Sequence, residues 1–203
     1  MTQRRIGIYA GTFDPVHLGH VVFALQAVEM AKLDVIYFLP ERRPRRKQGV
    51  EHFAHRVAML RQASRPHPQF DVLELPDVNF TVRATLPRLQ KQFPDDQLVF
   101  LFGSDVISSL AKWEYNERLL SQGELVVAIR ENEDPQTIKK QIETLPVAPK
   151  AVTIFTSREP DISSANVREA LYGRSKARGL LTSVERYSDR NWLYVSLASS
   201  RTR

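Results

Sequence analysis

The chain has 203 residues, of which 42% are hydrophobic, and this suits one domain with a buried core. It contains no cysteine, which excludes disulfides and thiol catalysis. No apolar run has the length of a membrane span, and no signal-peptide core follows the first residues, so we expect a cytoplasmic protein. The net charge of +6 is typical of proteins that handle polyanions, without choosing between nucleotides and nucleic acid.

Apolar runs of β type alternate with stretches of helical spacing along the chain. The expected strands are Arg5 to Ala10, Val35 to Leu39, Phe70 to Leu75, Gln97 to Phe102, Leu125 to Arg130 and Val152 to Thr156. The expected helices include Leu18 to Lys32, Phe53 to Ser64, Ile138 to Leu145 and a short closing helix over Thr182 to Tyr194. This alternation predicts an α/β fold, a doubly wound parallel sheet with helices on both faces. We expect one domain over 1–203, with 182–203 as a C-terminal helix and tail that is frayed from Ser199 to Arg203.

The first strand runs into Gly11-Thr12-Phe13-Asp14-Pro15-Val16-His17-Leu18-Gly19-His20. Gly11 allows a ligand to approach the backbone, and Asp14-Pro15 is typical of a turn or cap that starts a helix. His17 and His20 are three residues apart, so on a helix they share a face and can both donate to one bound group. Ligands of parallel sheets bind at the carboxyl ends of strands, and helix N-termini favour anions, so we expect a phosphate here.

Other interpretations of this segment remain open from the residues alone. A single histidine near a helix start is more often an ordinary, hydrogen-bonded side chain. The His-x-x-His spacing also occurs at metal sites, but no cysteine and no obvious third ligand accompany it, so we expect no metal held by the protein itself. Asp14 can be a metal ligand or a capping residue.

The ten residues from Gly11 to His20 resemble the signature of the nucleotidyltransferase superfamily, which is related to the His-Ile-Gly-His synthetases. Ala10 stands where that family has a glycine. The resemblance implies a Rossmann-like fold in which this segment holds the phosphates of ATP. The residues that it implies for this task are Gly11, Thr12, Phe13, His17 and His20.

Two serines precede an apolar-periodic run in Ile162-Ser163-Ser164-Ala165-Asn166-Val167-Arg168. They are typical of a helix N-cap, and Arg168 would lie about one turn into that helix. An ordinary capped helix explains the segment when it is taken alone. Beside the first motif, it resembles the family's Ile-Ser-Ser-x-x-x-Arg signature, which implies that Ile162, Ser163, Ser164 and Arg168 contact the triphosphate.

A third segment, Gly103-Ser104-Asp105, follows an apolar strand, with Trp113 eight residues beyond Asp105. Taken alone, these residues indicate a turn, a cap and an aromatic in the core. The family resemblance implies that Gly103 and Asp105 approach ATP. Trp113 resembles the aromatic that stacks on the pyridine ring in bacterial nicotinate-nucleotide adenylyltransferases. Resemblance to this branch implies an acceptor side made of Lys47, Thr85, Trp113 and Arg130.

Two segments depart from that branch, and both concern the acceptor. The branch has an aspartate in a Ser-Tyr-Thr-x-Asp-Thr-Leu run, whereas this chain lacks it in Asn79-Phe80-Thr81-Val82-Arg83-Ala84-Thr85-Leu86. Where the branch has Pro-Pro-His-Lys, this chain has the more basic Arg43-Pro44-Arg45-Arg46-Lys47. We expect the basic run from Arg42 to Lys47 to be a mobile loop.

The resemblance implies adenylyl transfer from ATP to a nucleotide phosphomonoester, first of all nicotinate mononucleotide, which gives deamido-NAD and pyrophosphate. His17, His20 and Arg168 would be catalytic, and Mg²⁺ would be bound mainly through the ATP phosphates. The expected partners are ATP and a small phosphomonoester, without a membrane or nucleic acid.

Alternative functions are related transferases that act on nicotinamide mononucleotide, on pantetheine phosphate or on a CTP-dependent acceptor. An alternative of another class is a non-catalytic basic nucleotide- or RNA-binding module, which the Arg42 to Lys47 loop suggests. That loop lacks the interleaved aromatic residues of single-strand binders. No Lys-Met-Ser-Lys-Ser-like run is present, which argues against a class I aminoacyl-tRNA synthetase. The sequence leaves the oligomeric state open.

Overall fold

A computed structural model describes residues 3–45 and 47–195 of the protein. Six strands form one sheet: β1 (Arg5–Gly11), β2 (Val35–Pro40), β3 (Phe70–Val72), β4 (Gln97–Gly103), β5 (Glu124–Ile129) and β6 (Val152–Thr156). Their order is β3-β2-β1-β4-β5-β6, and every neighbouring pair is parallel. The chain therefore winds outward from β1 in one direction and from β4 in the other. This confirms the predicted Rossmann-like sheet and places a crevice beyond the carboxyl ends of β1 and β4.

Eight helices lie within the described residues: α1 (Leu18–Ala31), α2 (Phe53–Ser64), α3 (Val82–Gln92), α4 (Ser104–Leu110), α5 (Asn116–Gln122), α6 (Pro135–Glu143), α7 (Ser164–Tyr172) and α8 (Thr182–Arg190). α1 and α2 agree with the sequence prediction within one residue. α6 begins three residues before the predicted Ile138, because Asp134 caps it by accepting the backbone N–H groups of Gln136 and Thr137, and Pro135 fits its first turn.

The helices cover both faces of the sheet, as predicted. One apolar cluster joins the sheet to α3, α4, α5 and α6 through residues such as Leu89, Ile107 and Ile142. The other joins it to α1, α2 and α8 through residues such as Ala27, Leu60 and Val184. Burial of these apolar side chains between helix and sheet is the main contribution that stabilises such layers.

Several element ends differ from the prediction. β3 ends at Val72 rather than Leu75, and β5 ends at Ile129 rather than Arg130. α8 ends at Arg190 rather than Tyr194, because the chain turns through positive φ angles at Trp192 and Tyr194. The predicted frayed tail from Ser199 to Arg203 lies outside the described residues. No helix in the described ranges has the length and apolar character needed to cross a membrane.

Candidate active site

A cavity of about 630 Å³ opens beyond the carboxyl ends of β1, β4 and β5, beside the N-termini of α1 and α7. Most of the residues expected to form a site line it: Thr12, Phe13, His17, His20, Lys47, Gly103, Asp105, Arg130, Ile162, Ser163, Ser164 and Arg168. The motifs from the start, the middle and the end of the chain therefore meet at one place, the crevice where doubly wound sheets bind ligands.

The loop after β1 turns at Phe13, whose φ angle is +51°. The Phe13 ring is buried and lies edge-on to Tyr9 and Phe38, at centroid distances of 5.3 and 5.6 Å. A Cβ on Gly11 would come within 3.0 Å of this ring. Gly11 does not line the cavity, so its glycine is explained by the packing of Phe13 rather than by the approach of a ligand.

His17, rather than the predicted Asp14-Pro15 pair, is the N-cap of α1. Its backbone N–H donates to Nδ1 of His20 at 3.2 Å, and the two rings lie 3.7 Å apart. Because Nδ1 of His20 accepts a hydrogen bond, the neutral ring carries its proton on Nε2. A Cβ on Gly19 would meet the His17 ring at 3.1 Å, so the glycine between the histidines allows the two rings to lie together.

Both histidines have lowered pKa values. Burial lowers the pKa of His17 to about 4, and its side chain is 5% exposed. The pKa of His20 falls well below its ordinary value because of burial first, and then because of His17 and Lys47. Part of the His20 ring still faces the cavity, although Phe13 encloses it on one side at 5.1 Å. At neutral pH the pair therefore offers uncharged N–H donors rather than two cations.

Asp14 is buried, and its carboxylate joins distant parts of the chain. Oδ1 accepts the Tyr194 hydroxyl at 2.7 Å and the Glu51 backbone N–H at 3.4 Å. Oδ2 has no hydrogen-bond partner among the described residues, and Nη1 of Arg168 lies 3.9 Å from it. The pKa of Tyr194 is raised by burial and by Asp14, which keeps its hydroxyl a proton donor. Of the two roles left open for Asp14, capping of α1 is wrong, because the carboxylate is an acceptor between loops.

The N-terminus of α7 is docked on the loop after β1. Ser163 caps the helix by accepting the Asn166 backbone N–H at 3.2 Å, as the sequence predicts. Ser164 Oγ donates to the Pro15 carbonyl at 3.0 Å, and Arg168 Nη1 donates to the Asp14 carbonyl at 2.6 Å. The helix therefore presents its free N–H groups and one guanidinium to the cavity, an arrangement that favours an anion.

The ends of β4 and β5 form the opposite wall. A Cβ on Gly103 would lie 2.6 Å from Oδ1 of Asp105, so the glycine allows this carboxylate to turn back over the strand end. Glu133 accepts hydrogen bonds from the Arg130 backbone N–H at 2.6 Å and from Ser104 Oγ at 2.7 Å. These bonds tie the loop after β5 to the start of α4 and set the position of Arg130 at the cavity.

The four residues expected on the acceptor side are divided. Lys47 and Arg130 line the cavity, and Lys47 Nζ donates to Thr12 Oγ1 at 3.0 Å. The Trp113 ring lies outside it, packed against Phe80 and Phe102 at centroid distances of 6.1 and 5.7 Å. Thr85 is fully buried outside the cavity, where its hydroxyl accepts the Thr81 backbone N–H. The backbone N–H of Thr85 is also used, by the Thr81 carbonyl.

The loop predicted to be mobile is anchored by its side chains. Arg42 Nε donates to the Leu75 carbonyl at 2.8 Å, and its guanidinium lies 4.5 Å from the centre of the Phe53 ring. Arg45 donates to Asn79 at 3.0 Å. Arg46 lies outside the described residues. The basic residues thus have contacts within the fold that the charge run alone does not reveal.

Sequence reasoning missed three residues that hold the site together. Tyr194 binds Asp14, and Arg56 binds the backbone of Thr12. Gln26 joins α1 to the loop after β6 by donating to the Thr156 carbonyl and accepting the Arg158 backbone N–H. Arg56 has a visible signal, since it occupies an apolar position of α2 beside Val57 and Leu60. Gln26 has the same kind of signal in α1, since it is a polar residue among buried apolar residues such as Ala24 and Ala27.

The chain is similar to known proteins over most of its length. The Cytidylyltransferase-like family model matches residues 8–170. A nicotinate-nucleotide adenylyltransferase of Bacillus subtilis is 30% identical over 201 residues, which cover 96% of this chain and 100% of the relative. A probable nicotinate-nucleotide adenylyltransferase of Thermus thermophilus is 34% identical over 195 residues, which cover 94% and 99%.

A solved structure of Plasmodium falciparum nicotinic acid mononucleotide adenylyltransferase, complexed with NaAD, has a TM-score of 0.76 to this chain. It covers 95% of this chain and 98% of its own, at 18% identity, so the likeness supports the fold alone.

A doubly wound sheet with a histidine pair at the helix entrance after β1 defines a nucleotidyltransferase of the His-x-Gly-His type. The chain belongs to the cytidylyltransferase-like family and, within it, to the nicotinate-nucleotide adenylyltransferases. The resemblance drawn from the motifs is thereby confirmed, and the chain is an enzyme. This leaves the alternative of a non-catalytic RNA-binding module without support.

Proposed function

We propose that the protein transfers the adenylyl group of ATP to nicotinate mononucleotide, which yields deamido-NAD and pyrophosphate, a step of pyridine nucleotide biosynthesis. The observation that carries the proposal is the His17–His20 pair, whose hydrogen bond leaves Nε2–H of His20 as a donor at the cavity. The relatives from Bacillus subtilis and Thermus thermophilus carry the name of this activity.

In this reaction a phosphate oxygen of the mononucleotide attacks the α-phosphorus of ATP, and the bond to the bridging oxygen of pyrophosphate breaks. The protein needs no nucleophile of its own, so catalysis rests on placing the reactants in line and stabilising the charge on the phosphate oxygens. His20 donates to the α-phosphate, where charge develops, and His17 supports it. Because both rings are neutral before the reaction, they stabilise that charge by hydrogen bonds.

The leaving pyrophosphate is held at the other end of the cavity. The N-terminus of α7, with Ser163, Ser164 and Arg168, receives the β- and γ-phosphates of ATP. Arg168 already uses Nη1 for the Asp14 carbonyl, and its remaining donors turn to the phosphates. Gly103 and Asp105 at the end of β4 contact the nucleoside part of ATP, where the carboxylate accepts from ribose hydroxyls.

Mg²⁺ fits this site as a partner of the phosphates. In residues 3–45 and 47–195, no group of three histidine, cysteine or acidic side chains is close enough to hold a metal ion. The buried Oδ2 of Asp14 is unpaired among the described residues, but it faces Arg168 at 3.9 Å. Since Mg²⁺ keeps several waters and binds through substrate phosphates, the ion requires no protein cage and supplies charge neutralisation.

The acceptor enters beside Lys47, which supplies positive charge for its phosphate. Stacking of a pyridine ring on Trp113 requires that the indole give up its contact with Phe80 or Phe102. A preference for the acid over the amide follows from donors that satisfy a carboxylate and leave the amide NH₂ without an acceptor.

The test is pyrophosphate release from the purified protein with ATP or CTP against nicotinate mononucleotide, nicotinamide mononucleotide and pantetheine phosphate. We expect turnover with ATP and nicotinate mononucleotide, and a clear preference for this acceptor over its amide. Turnover with CTP alone, or with pantetheine phosphate alone, would contradict the assignment. Equal use of nicotinate mononucleotide and nicotinamide mononucleotide would contradict the preference for the acid and leave only the general superfamily activity.

Trp113→Ala is expected to raise the KM for both pyridine mononucleotides, because a stacking face is lost, while the KM for ATP stays near that of the wild type. Trp192→Ala is the matched control, since Trp192 is the second tryptophan of the chain and its side chain is 80% exposed. An unchanged acceptor KM in the Trp113 variant would remove this residue from the acceptor site.

A further inference from the structure

Arg56 carries a buried charge that has no role in the proposed mechanism. Its side chain is 1% exposed, although it lies on α2 and not in the cavity. The guanidinium donates to four backbone carbonyls: Thr12 at 2.6 Å, Glu41 at 2.7 Å, Glu51 at 3.0 Å and Arg42 at 3.2 Å. A buried guanidinium is costly unless its donors are satisfied, so these four bonds define its place.

The four carbonyls belong to segments that reach the cavity from two sides. Thr12 belongs to the loop that continues to the histidine pair, on the ATP side. Glu41 and Arg42 begin the loop that carries Lys47, on the acceptor side. Lys47 also joins the two loops directly, because its Nζ donates to Thr12 Oγ1 at 3.0 Å. One side chain therefore fixes both loops, and the two loops contact each other at the cavity.

A second contact strengthens the link to the basic loop. Two guanidinium groups lie near the Phe53 ring, that of Arg42 at 4.5 Å and that of Arg56 at 5.6 Å from its centre. Arg42 is thus held through its carbonyl by Arg56 and through its side chain by Phe53.

We propose that Arg56 is a positioning residue that sets the distance between the phosphate groups of the two substrates, by fixing the Thr12 loop and the Lys47 loop on one guanidinium. This inference rests on the proposed function, in which those loops bind ATP and the acceptor. It assigns to Arg56 an effect on the rate of the chemical step, because misplacement of reacting groups by about 1 Å can cost about a hundredfold in rate.

The chemistry of the four bonds requires arginine. The four carbonyls are bound by three different nitrogens, Nε, Nη1 and Nη2, which suits the fork of a guanidinium, whereas an ammonium has its three donors on one atom. Burial lowers the pKa of Arg56, and the buried carboxylate of Asp14 partly opposes this shift by favouring the charged form. Lysine would keep the charge and lose the simultaneous contact with both loops.

The experiment compares Arg56→Lys with Arg61→Lys, a control on the same helix whose side chain is 63% exposed and pairs with Glu74. We expect Arg56→Lys to lower kcat between about tenfold and a hundredfold, with the KM for ATP within about threefold of the wild type. Arg61→Lys should keep both constants. Amide hydrogen exchange should become faster over 12–17 and 41–51 in Arg56→Lys and stay unchanged in β1 and β4.

A double-mutant cycle with Lys47→Met separates positioning from a general loss of structure. If Arg56 acts through Lys47, the double variant should be no slower than the slower single variant. Additive losses in kcat would overturn the proposal, as would a kcat for Arg56→Lys within threefold of the wild type. Faster exchange that also includes the central strands would overturn it too, because the role would then be structural.

Failure of the proposed function has a different signature. If the wild-type protein shows no turnover with any acceptor, the proposed adenylyl transfer is contradicted. The exchange experiment would still test Arg56, because it does not depend on activity. In that case, faster exchange confined to the two loops, 12–17 and 41–51, would still support the loop-fixing role of Arg56, and unchanged exchange would overturn it.

Discussion

The hydrogen bond from the backbone of His17 to Nδ1 of His20 determines what the histidine pair can do. It selects the tautomer with a proton on Nε2 of His20, while burial keeps the ring neutral. The first turn of α1 thus prepares a donor before any substrate is present. The spacing of the pair is visible in the sequence, but this tautomer is not, because it depends on His17 being the N-cap.

His20→Ala is expected to lower kcat about a hundredfold, or about 3 kcal/mol, while the fold and most of the ATP affinity remain. His20→Gln is the informative companion, because its amide NH₂ reaches near the place of Nε2 and should retain part of the rate. Steady-state kinetics and calorimetric ATP binding provide the two measurements. Near-normal kcat in His20→Ala would remove the pair from the mechanism.

The lowered pKa of His17 predicts a pH dependence of stability. The folded protein takes up this proton only near pH 4, whereas the unfolded chain takes it up near pH 6.5. Between these values the unfolded state binds more protons, so the free energy of unfolding falls as the pH falls, by at most about 1.4 kcal/mol for each pH unit. Above pH 6.5 this contribution is complete and constant.

Urea unfolding of the wild type and of His17→Gln between pH 4.5 and 7.5 measures this contribution. The variant should lose less stability on acidification than the wild type, and His52→Gln, at an exposed histidine, is the control. Equal slopes for wild type and His17→Gln would show that His17 titrates normally in the folded protein.

At the scale of elements, α7 and the loop after β1 act as one unit. Ser164 and Arg168 each donate to a carbonyl of that loop. The helix that follows the last strand is therefore held against the segment that follows the first strand. The helix N-terminus and the histidine pair consequently face the same cavity. These contacts bring two motifs that are far apart in the sequence together in one site.

Arg168→Ala is expected to raise the KM for ATP at least tenfold and to change the KM for the acceptor by less than about threefold, because a charge-assisted contact to phosphate contributes about 1.5–3 kcal/mol. Arg118→Ala, on the exposed side of α5, is the control. A selective loss of acceptor binding would reverse the assignment of the two ends of the cavity.

The strands and the helices α1 and α2 could be predicted because each is a periodic apolar run, whereas the 11-residue helix α3 was not among the expected helices. The seven-residue helices α4 and α5 are too short for such a pattern. The segments expected to bind ATP could be recognised by their resemblance to the family's signatures, because the residues of each signature are adjacent in sequence. Thr85 and Trp113 were assigned by resemblance, and their places outside the cavity depend on packing that only the fold reveals.

At the scale of the whole molecule, one contact of the site is a hydrogen bond that joins Tyr194 to Asp14, which are 180 residues apart in the chain. No local pattern predicts such a bond, because neither residue has a sequence neighbour that indicates the other. The same is true of Arg56, whose four carbonyl partners lie in three separate segments. Sequence patterns thus predicted which residues line the cavity better than which residues hold them in place.

The central claim is direct transfer of the adenylyl group between two bound phosphates. A single-turnover reaction with excess protein and ATP labelled at the α-phosphate, with nicotinate mononucleotide present or absent, tests it most directly. With the acceptor, all transferred label should appear in deamido-NAD, and without it no label should become attached to the protein. Label bound covalently to the protein, or no labelled dinucleotide in the presence of the acceptor, would contradict the account.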